Sequence, residues 1–571
     1  MAKKELDEDL LTGGNLSSGK DKNAKASQKK SKNNQISSVS IAPKTKKIIQ
    51  STVAIVIVVA LLVTYVATGA VRKGFIASLS IPAQYFTGLT VSNGEDSKAK
   101  IKVSTYNFYF ATTYNTMQSQ KQQYSQYNID PAQMGLDVDF DQPLSKQTYT
   151  DSETKEEMTW AEHLHNMVVD SIENTYTYYL AAVAENNGEE PEITDEQKAE
   201  LEDTISQYRE TANGYGYTLS GYLVKAMGKG VTESVFRTET TRQYIAQNYK
   251  NSISESNAEK EYTAEDLNNY KSEHESDLMT VDAKFFECSN EDDAKAFADE
   301  LKADGSNFAD LAVKYASSDF YKTAYEDEGY TTELGVTRST LQNKGYAIAA
   351  ADEHTHEEGE EHSDDEELVY SGLDWLFSSD RKAGDIKQYS TSVVYVISPA
   401  TISERKTINV RHILIAPVTD DENTAATDAT TEQWNTAYDQ AKEVLDKFNA
   451  GDRTEDSFTA LVANNSTDTG SVENGGLYEN VVPGQMVNSF SYWCFENGRK
   501  SGDTAIVKSD YGYHIMYFVG ENDQSVWQYT AQQALATEDS QSAGEKLEEA
   551  YTIKENWFGS RYFEKDVDID A

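Results

Sequence analysis

The stretch SDYGYHIMYFVG, residues 509–520, alternates like a half-buried strand, yet it seats a histidine, His514, among Ile515, Met516, Tyr517 and Phe518. A strand has a side-chain period of two, so His514, Met516 and Phe518 share one face while Tyr513, Ile515 and Tyr517 share the other. The imidazole therefore lies on an apolar face, in a chain that has only 8 histidines among 571 residues. Taken alone it fits a satisfied core residue or a functional one. Its partners elsewhere in the chain decide between the two.

The segment just before it recurs. LDWLFSSDRKAGD (373–385) lines up with SYWCFENGRKSGD (491–503), with Trp, Phe, Arg-Lys and Gly-Asp at identical offsets. Further upstream, TVDAKFFEC (280–288) matches TINVRHILI (407–415) in pattern, and each is followed by a helical stretch. The chain thus carries two copies of one domain, built from short strands alternating with helices, which reads as α+β or α/β. From about 100 to 278 the pattern is helical instead, as in WAEHLHNMVVDSIENTYTYYLAAVAE, with a heavy load of tyrosine. Tyrosine suits a surface that touches extended clients, but at helical spacing it also suits ordinary core and rim.

Charge is divided unevenly. Residues 1–47 hold 11 Lys against 5 Asp or Glu, net +6, which leaves −50 for the remainder of a chain of net charge −44. Between the two parts, IIQSTVAIVIVVALLVTYVATGA (48–70) is 23 residues without a charge, and at 1.5 Å per residue it spans roughly 35 Å, enough for a bilayer. The expectation is an uncleaved transmembrane anchor, longer and further from the start than a signal peptide. Lys44, Lys46 and Lys47 place the N-terminus in the cytoplasm and the rest outside the cell membrane, with Arg72 and Lys73 softening the asymmetry. Residues 1–47 read as a disordered basic tail and 71–99 as a linker. The excess of negative charge beyond the span argues against binding nucleic acid or anionic lipid through that part, since both need basic patches. Cys288 and Cys494, far apart, read as buried hydrophobes and not as a disulfide framework.

The second copy resembles the parvulin family of peptidyl-prolyl isomerases over roughly residues 405–521. Five elements in family order carry the resemblance: VRHILI with His412; Ser466-Thr467-Asp468; Gly475-Gly476; PGQMVNSF with Met486 and Phe490, running on to WCF with Phe495; and the closing YGYHIM. The resemblance implies that His412 and His514 are paired core histidines on neighbouring strands, that Asp468 holds the third catalytic position, and that Ser509 bonds to the same network. It implies that Met486, Phe490 and Phe495 form the apolar pocket for the proline ring, and it calls for no cofactor. The family's GGDLG appears here as GGLYE (475–479), and the segment after the first strand, APVTDDENTAATDATTEQW, is acidic where phosphate-directed members are basic. A phosphoserine would be repelled there.

In the first copy, repeat alignment puts Phe285 at the place of His412 and Val396 at that of His514, so residues 279–403 are expected to form a silent parvulin-like domain. That copy includes DEHTHEEGEEHSDDEE (352–367), whose His354, His356 and His362 are weak candidates for a metal against the alternative of a solvated acidic loop. The expected architecture is α+β: an N-terminal transmembrane helix, a helical chaperone-like domain at 100–278, two tandem parvulin-like domains at 279–403 and 404–522, each a small antiparallel sheet flanked by helices, and a helical C-terminal segment at 523–571. That order resembles the PrsA and SurA class of extracytoplasmic foldases. It implies newly secreted, unfolded protein clients with X-Pro bonds, contact with the membrane through one helix, and no nucleic acid. The rival expectation is a non-enzymatic holdase using both copies as binding modules.

Overall fold

The structure is a computed structural model that describes residues 81–564 apart from 95–96, 128, 153, 345–371 and 420–423. The basic tail, the apolar run 48–70 and the loop 352–367 with His354, His356 and His362 lie outside the described residues. Among those described, no helix is long and apolar enough to cross a membrane. The chain divides into two compact units, one built on residues up to 260 together with those from 536 onward, the other on 261–535.

The first unit is mainly helical. Its long helices are Val103–Gln126, Trp160–Glu185, Asp195–Gly214 and Glu233–Ala258, with the shorter Leu219–Met227 among them. Threonines start four of them: Thr159 and Thr194 form capping boxes, while Thr218 and Thr232 accept from the backbone N–H three residues on. The tyrosines serve the core here, with Tyr106, Tyr109, Tyr176, Tyr208 and Tyr244 all fully buried. One buried carboxylate, Glu239, is held by Thr105, Tyr176 and Arg242, as a buried charge requires.

Two sequence expectations change in this unit. Residues 71–99 are not all linker, because Thr87–Asn93 and Ser97–Lys102 form a hairpin; nor is the C-terminal segment all helix, because Thr552–Glu555 pairs antiparallel with Thr87–Asn93. Three-residue alternation such as Thr-Ile-Lys is too short to read as a strand without its partner. Glu548 accepts from Asn174 and Tyr178, so the segment around Glu548 packs on the helix Trp160–Glu185.

The second unit contains two four-stranded antiparallel sheets of identical order. In the first copy it runs Thr332–Thr337, Thr280–Glu287, Ser392–Thr401, Ile386–Tyr389; in the second, Leu477–Val481, Lys406–Ile415, Gly512–Ser525, Thr504–Ser509. The recurring residues have matching duties. Arg381 stacks over Trp375 and Arg499 over Trp493; Asp385 and Asp503 accept from the backbone N–H of Lys382 and Lys500; Gly384 and Gly502 donate to the carbonyls of Val396 and Phe518.

Those last two bonds correct one alignment. Val396 stands where Phe518 stands in the second copy, not where His514 does. The hairpin Ile386–Tyr389/Ser392 is shorter than Thr504–Ser509/Gly512, so the register position of His514, opposite Leu414, falls to Ser392, opposite Glu287. Phe285 does take the place of His412: it lies opposite Val394 as His412 lies opposite Met516, and its N–H bonds to Thr331 as that of His412 bonds to Gly476. The first copy therefore has neither histidine.

Candidate functional site

The site is assembled where the two central strands of the second sheet run side by side. Lys406–Ile415 presents His412 and Gly512–Ser525 presents His514 to one face, and their Nδ1 atoms lie 3.1 Å apart. Both rings are buried, 4% and 6% exposed. On one side Ser509 Oγ lies 2.7 Å from His514 Nε2. On the other, Asp468 Oδ2 lies 2.8 Å from His412 Nε2. The structure thus brings together the four polar residues picked out in the sequence as one unbroken chain of hydrogen bonds.

Two members were missed. Ser471 donates to Asp468 Oδ2 at 2.5 Å and also lies 3.3 Å from His412 Nε2, and Tyr478 donates to the same Oδ2 at 2.9 Å. Ser471 carries no sequence signal beyond its nearness to Asp468. Tyr478 sits in the altered loop GGLYE, so the departure from the family pattern itself supplies a donor. The glycine pair that remains is needed: Gly476 has φ +73°, and a Cβ there would collide with the carbonyl oxygen of His412. At the place of the third glycine Glu479 has no left-handed backbone, and the left-handed residue is the next one, Asn480, at φ +52°.

Electrostatics orders the protons. Burial would raise the Asp468 carboxyl, but the hydrogen bond and charge of His412, with the hydroxyls of Ser471 and Tyr478, hold it well below the usual carboxylate range. Burial pushes His514 down to about 3, and the neighbouring His412 adds to that against a weaker pull from Asp468. An ionised carboxylate only accepts. His412 therefore presents Nε2–H to Asp468, while its Nδ1 faces His514 Nδ1 and His514 Nε2 faces the Ser509 hydroxyl. Ser509 Oγ in turn accepts from the Tyr511 N–H.

The apolar side is the helix Asn488–Phe495 and the turn before it. Phe490 stands edge-on to both imidazoles, with ring centres 5.4 Å away in each case. Met486, Phe490 and Phe495 share one cluster with Met516 and Phe518, and none is more than 6% exposed. The first copy packs on the outside of this helix: Leu334 joins the same cluster, Gly329 lies against Tyr492, and Lys344 bridges Glu333 and Asn488. Among the described residues no group of His, Cys, Asp and Glu could hold a metal ion, and Cys288 and Cys494 are free and buried.

Two adjoining strands with a buried histidine pair, a carboxylate, and an aromatic helix over them define a rotamase domain of parvulin type, and residues 412–520 match the family model described as the PPIC-type PPIase domain. The relatives over this region are foldases by name. Foldase protein PrsA 1 of Listeria monocytogenes is 33% identical over 120 residues, 21% of this chain and 33% of that protein. Foldase protein PrsA 2 of the same species is 31% identical over 155 residues, 26% of this chain and 45% of that one. The chain thus spans about a third of the length of the first of these relatives. A solved PrsA peptidylprolyl isomerase from Bacillus cereus is 18% identical, covering 56% of this chain and 85% of its own, at a TM-score of 0.18, which carries no weight for the arrangement of the whole.

Proposed function

We propose that this chain is a membrane-anchored foldase whose second copy isomerises X-Pro bonds in proteins emerging on the outer side of the membrane. The observation that carries the reading is the continuous network Ser509–His514–His412–Asp468 beside Phe490. Rotation about an X-Pro amide meets a barrier of about 18–20 kcal/mol because the C–N bond has partial double-bond character. A catalyst need only bind the twisted state better than either planar one. Met486, Phe490 and Phe495 supply apolar area for the pyrrolidine ring. The network fixes its dipoles before the carbonyl turns, so no reorganisation is needed at the moment of rotation. Uncatalysed isomerisation takes tens of seconds or longer, slow enough to limit folding.

Anchoring rests on the apolar run 48–70 and the lysines before it. His412, His514 and Asp468 act on the field around the rotating bond, Ser509 positions His514, and Phe285 and Ser392 leave the first copy silent. The experiment is a proline-isomerisation assay on the full chain beside His514→Ala and Asp468→Ala, each checked for a native circular dichroism spectrum. A drop of tenfold or more in kcat/KM for both supports the reading, and loss of all activity also shows the first copy silent. Rates equal to the unsubstituted chain would favour the holdase. One observation speaks for that second reading: the near-complete burial of Met486, Phe490 and Phe495 leaves little open pocket.

A further inference from the structure

The charge balance of the chain predicts no basic patch beyond residue 70, but the fold makes one. In the three-stranded sheet of the first unit, the edge strand Ser97–Lys102 alternates Lys98, Lys100 and Lys102, all exposed, with Ala99 and Ile101, which face the core. Thr90 of the central strand lies opposite Lys100 on one side and Lys554 on the other, so Lys554 shares the lysine face. None of the four pairs with a carboxylate among the described residues. Glu555, exposed beside Lys554, lies opposite Leu89 and so in the other register.

The end of the sheet that includes Lys102 is also aromatic. Tyr85 is 62%, Trp557 69% and Phe558 48% exposed. Phe86 packs on Phe558 with ring centres 5.1 Å apart, and Arg561 stacks 4.1 Å over Trp557. Exposed tryptophan and tyrosine beside cations are the chemistry of the membrane–water interface. The same end is where the chain arrives from the apolar run. Only residues 71–80 separate Ala70 from Ile81, and ten residues reach at most about 35 Å.

We propose that this lysine face, with its aromatic end, docks on an anionic lipid surface, so that the first unit lies against the bilayer and is not merely tethered to it. The inference rests on the reading of 48–70 as a membrane span. Four lysines near a negatively charged leaflet suffice for reversible docking, and the tether makes the second contact intramolecular.

The test uses the full chain reconstituted in vesicles of phosphatidylcholine with or without phosphatidylglycerol, the lipids brominated on their chains. Quenching of Trp557 is taken as the difference between the chain and its Trp557→Phe variant. The expected result is quenching that requires phosphatidylglycerol, falls in high salt, and weakens about tenfold or more in the variant Lys98→Gln/Lys100→Gln/Lys554→Gln. Equal quenching in both lipids, none in either, or no change in the triple variant overturns the inference. So does a Trp557 response to soluble poly(glycerol phosphate) without quenching by lipid, which would make that polymer the occupant. Failure of the membrane reading shows separately: the chain would leave the vesicles in alkaline carbonate, whatever Trp557 does.

Discussion

Three side chains, His412, Ser471 and Tyr478, donate to one oxygen of Asp468, and the Gly470 N–H donates to the other. Such crowding keeps the carboxylate ionised, and through it holds the Nε2–H of His412 toward Asp468. Tyr478→Phe removes one charge-assisted bond, a loss of about 1–2 kcal/mol. The expected outcome is a three- to tenfold drop in kcat/KM with an unchanged circular dichroism spectrum. His514 gives a second expectation. Its folded pKa of about 3 lies below the ordinary histidine value, so the unfolded chain binds a proton that the folded chain refuses. Stability is therefore full above about pH 6.5 and declines as pH falls toward 3, by at most about 1.4 kcal/mol per pH unit. Imidazole nitrogen shifts in NMR check it directly: the His514 signals keep their neutral values from pH 8 down to about 4.

At the scale of elements, the closing strand was readable because its period and its motif agree. His412, Asp468, Ser509 and His514 could be named as a group because each sits in a short local pattern of the family. Ser471 and Tyr478 could not, since their place in the network depends on how Leu477–Val481 folds back on Lys406–Ile415. The Val396 alignment failed for a related reason: equal spacing from Gly-Asp holds only up to the hairpin, and a hairpin shorter on both strands shifts everything after its turn. The lysine face was hidden too, because net charge averages over surfaces that pairing later separates. Gly476 offers a test at this scale. Gly476→Ala puts a Cβ against the His412 carbonyl at a left-handed backbone position, where non-glycine residues cost about 1 kcal/mol or more before any clash. Hydrogen exchange in Lys406–Ile415 is expected to speed up by tenfold or more, and isomerase activity to fall with it.

At the largest scale that one compact unit defines, the two copies are not beads on a string. Arg405 pairs with Asp282, Lys508 reaches Thr323 and stands over Phe320 and Trp434, and Tyr330 donates to Asp510 at the tip of the hairpin that ends in His514. The first copy thus supports the helix and hairpin that frame the site. A second copy excised as residues 404–522 is expected to melt several degrees below the same transition in the full chain, in calorimetry.

Asp510 makes the contact sensitive to pH. Burial raises its carboxyl to about 6. The groups around it are the Tyr330 hydroxyl, the Tyr321 and Tyr325 phenols, which sense its charge, and Lys508 two residues away, itself lowered to about 8 by burial. For an acid whose folded pKa is raised, the stabilisation is complete below the unfolded value near 4 and is lost as pH climbs through 6. Exchange of the backbone amides in 328–344 is therefore expected to accelerate, beyond the intrinsic effect of pH, between pH 4 and 7. Asp510→Asn keeps the hydrogen-bonding shape without the charge and should flatten that dependence. An identical pH response in the variant would mean that another group controls how tightly the first copy holds the second.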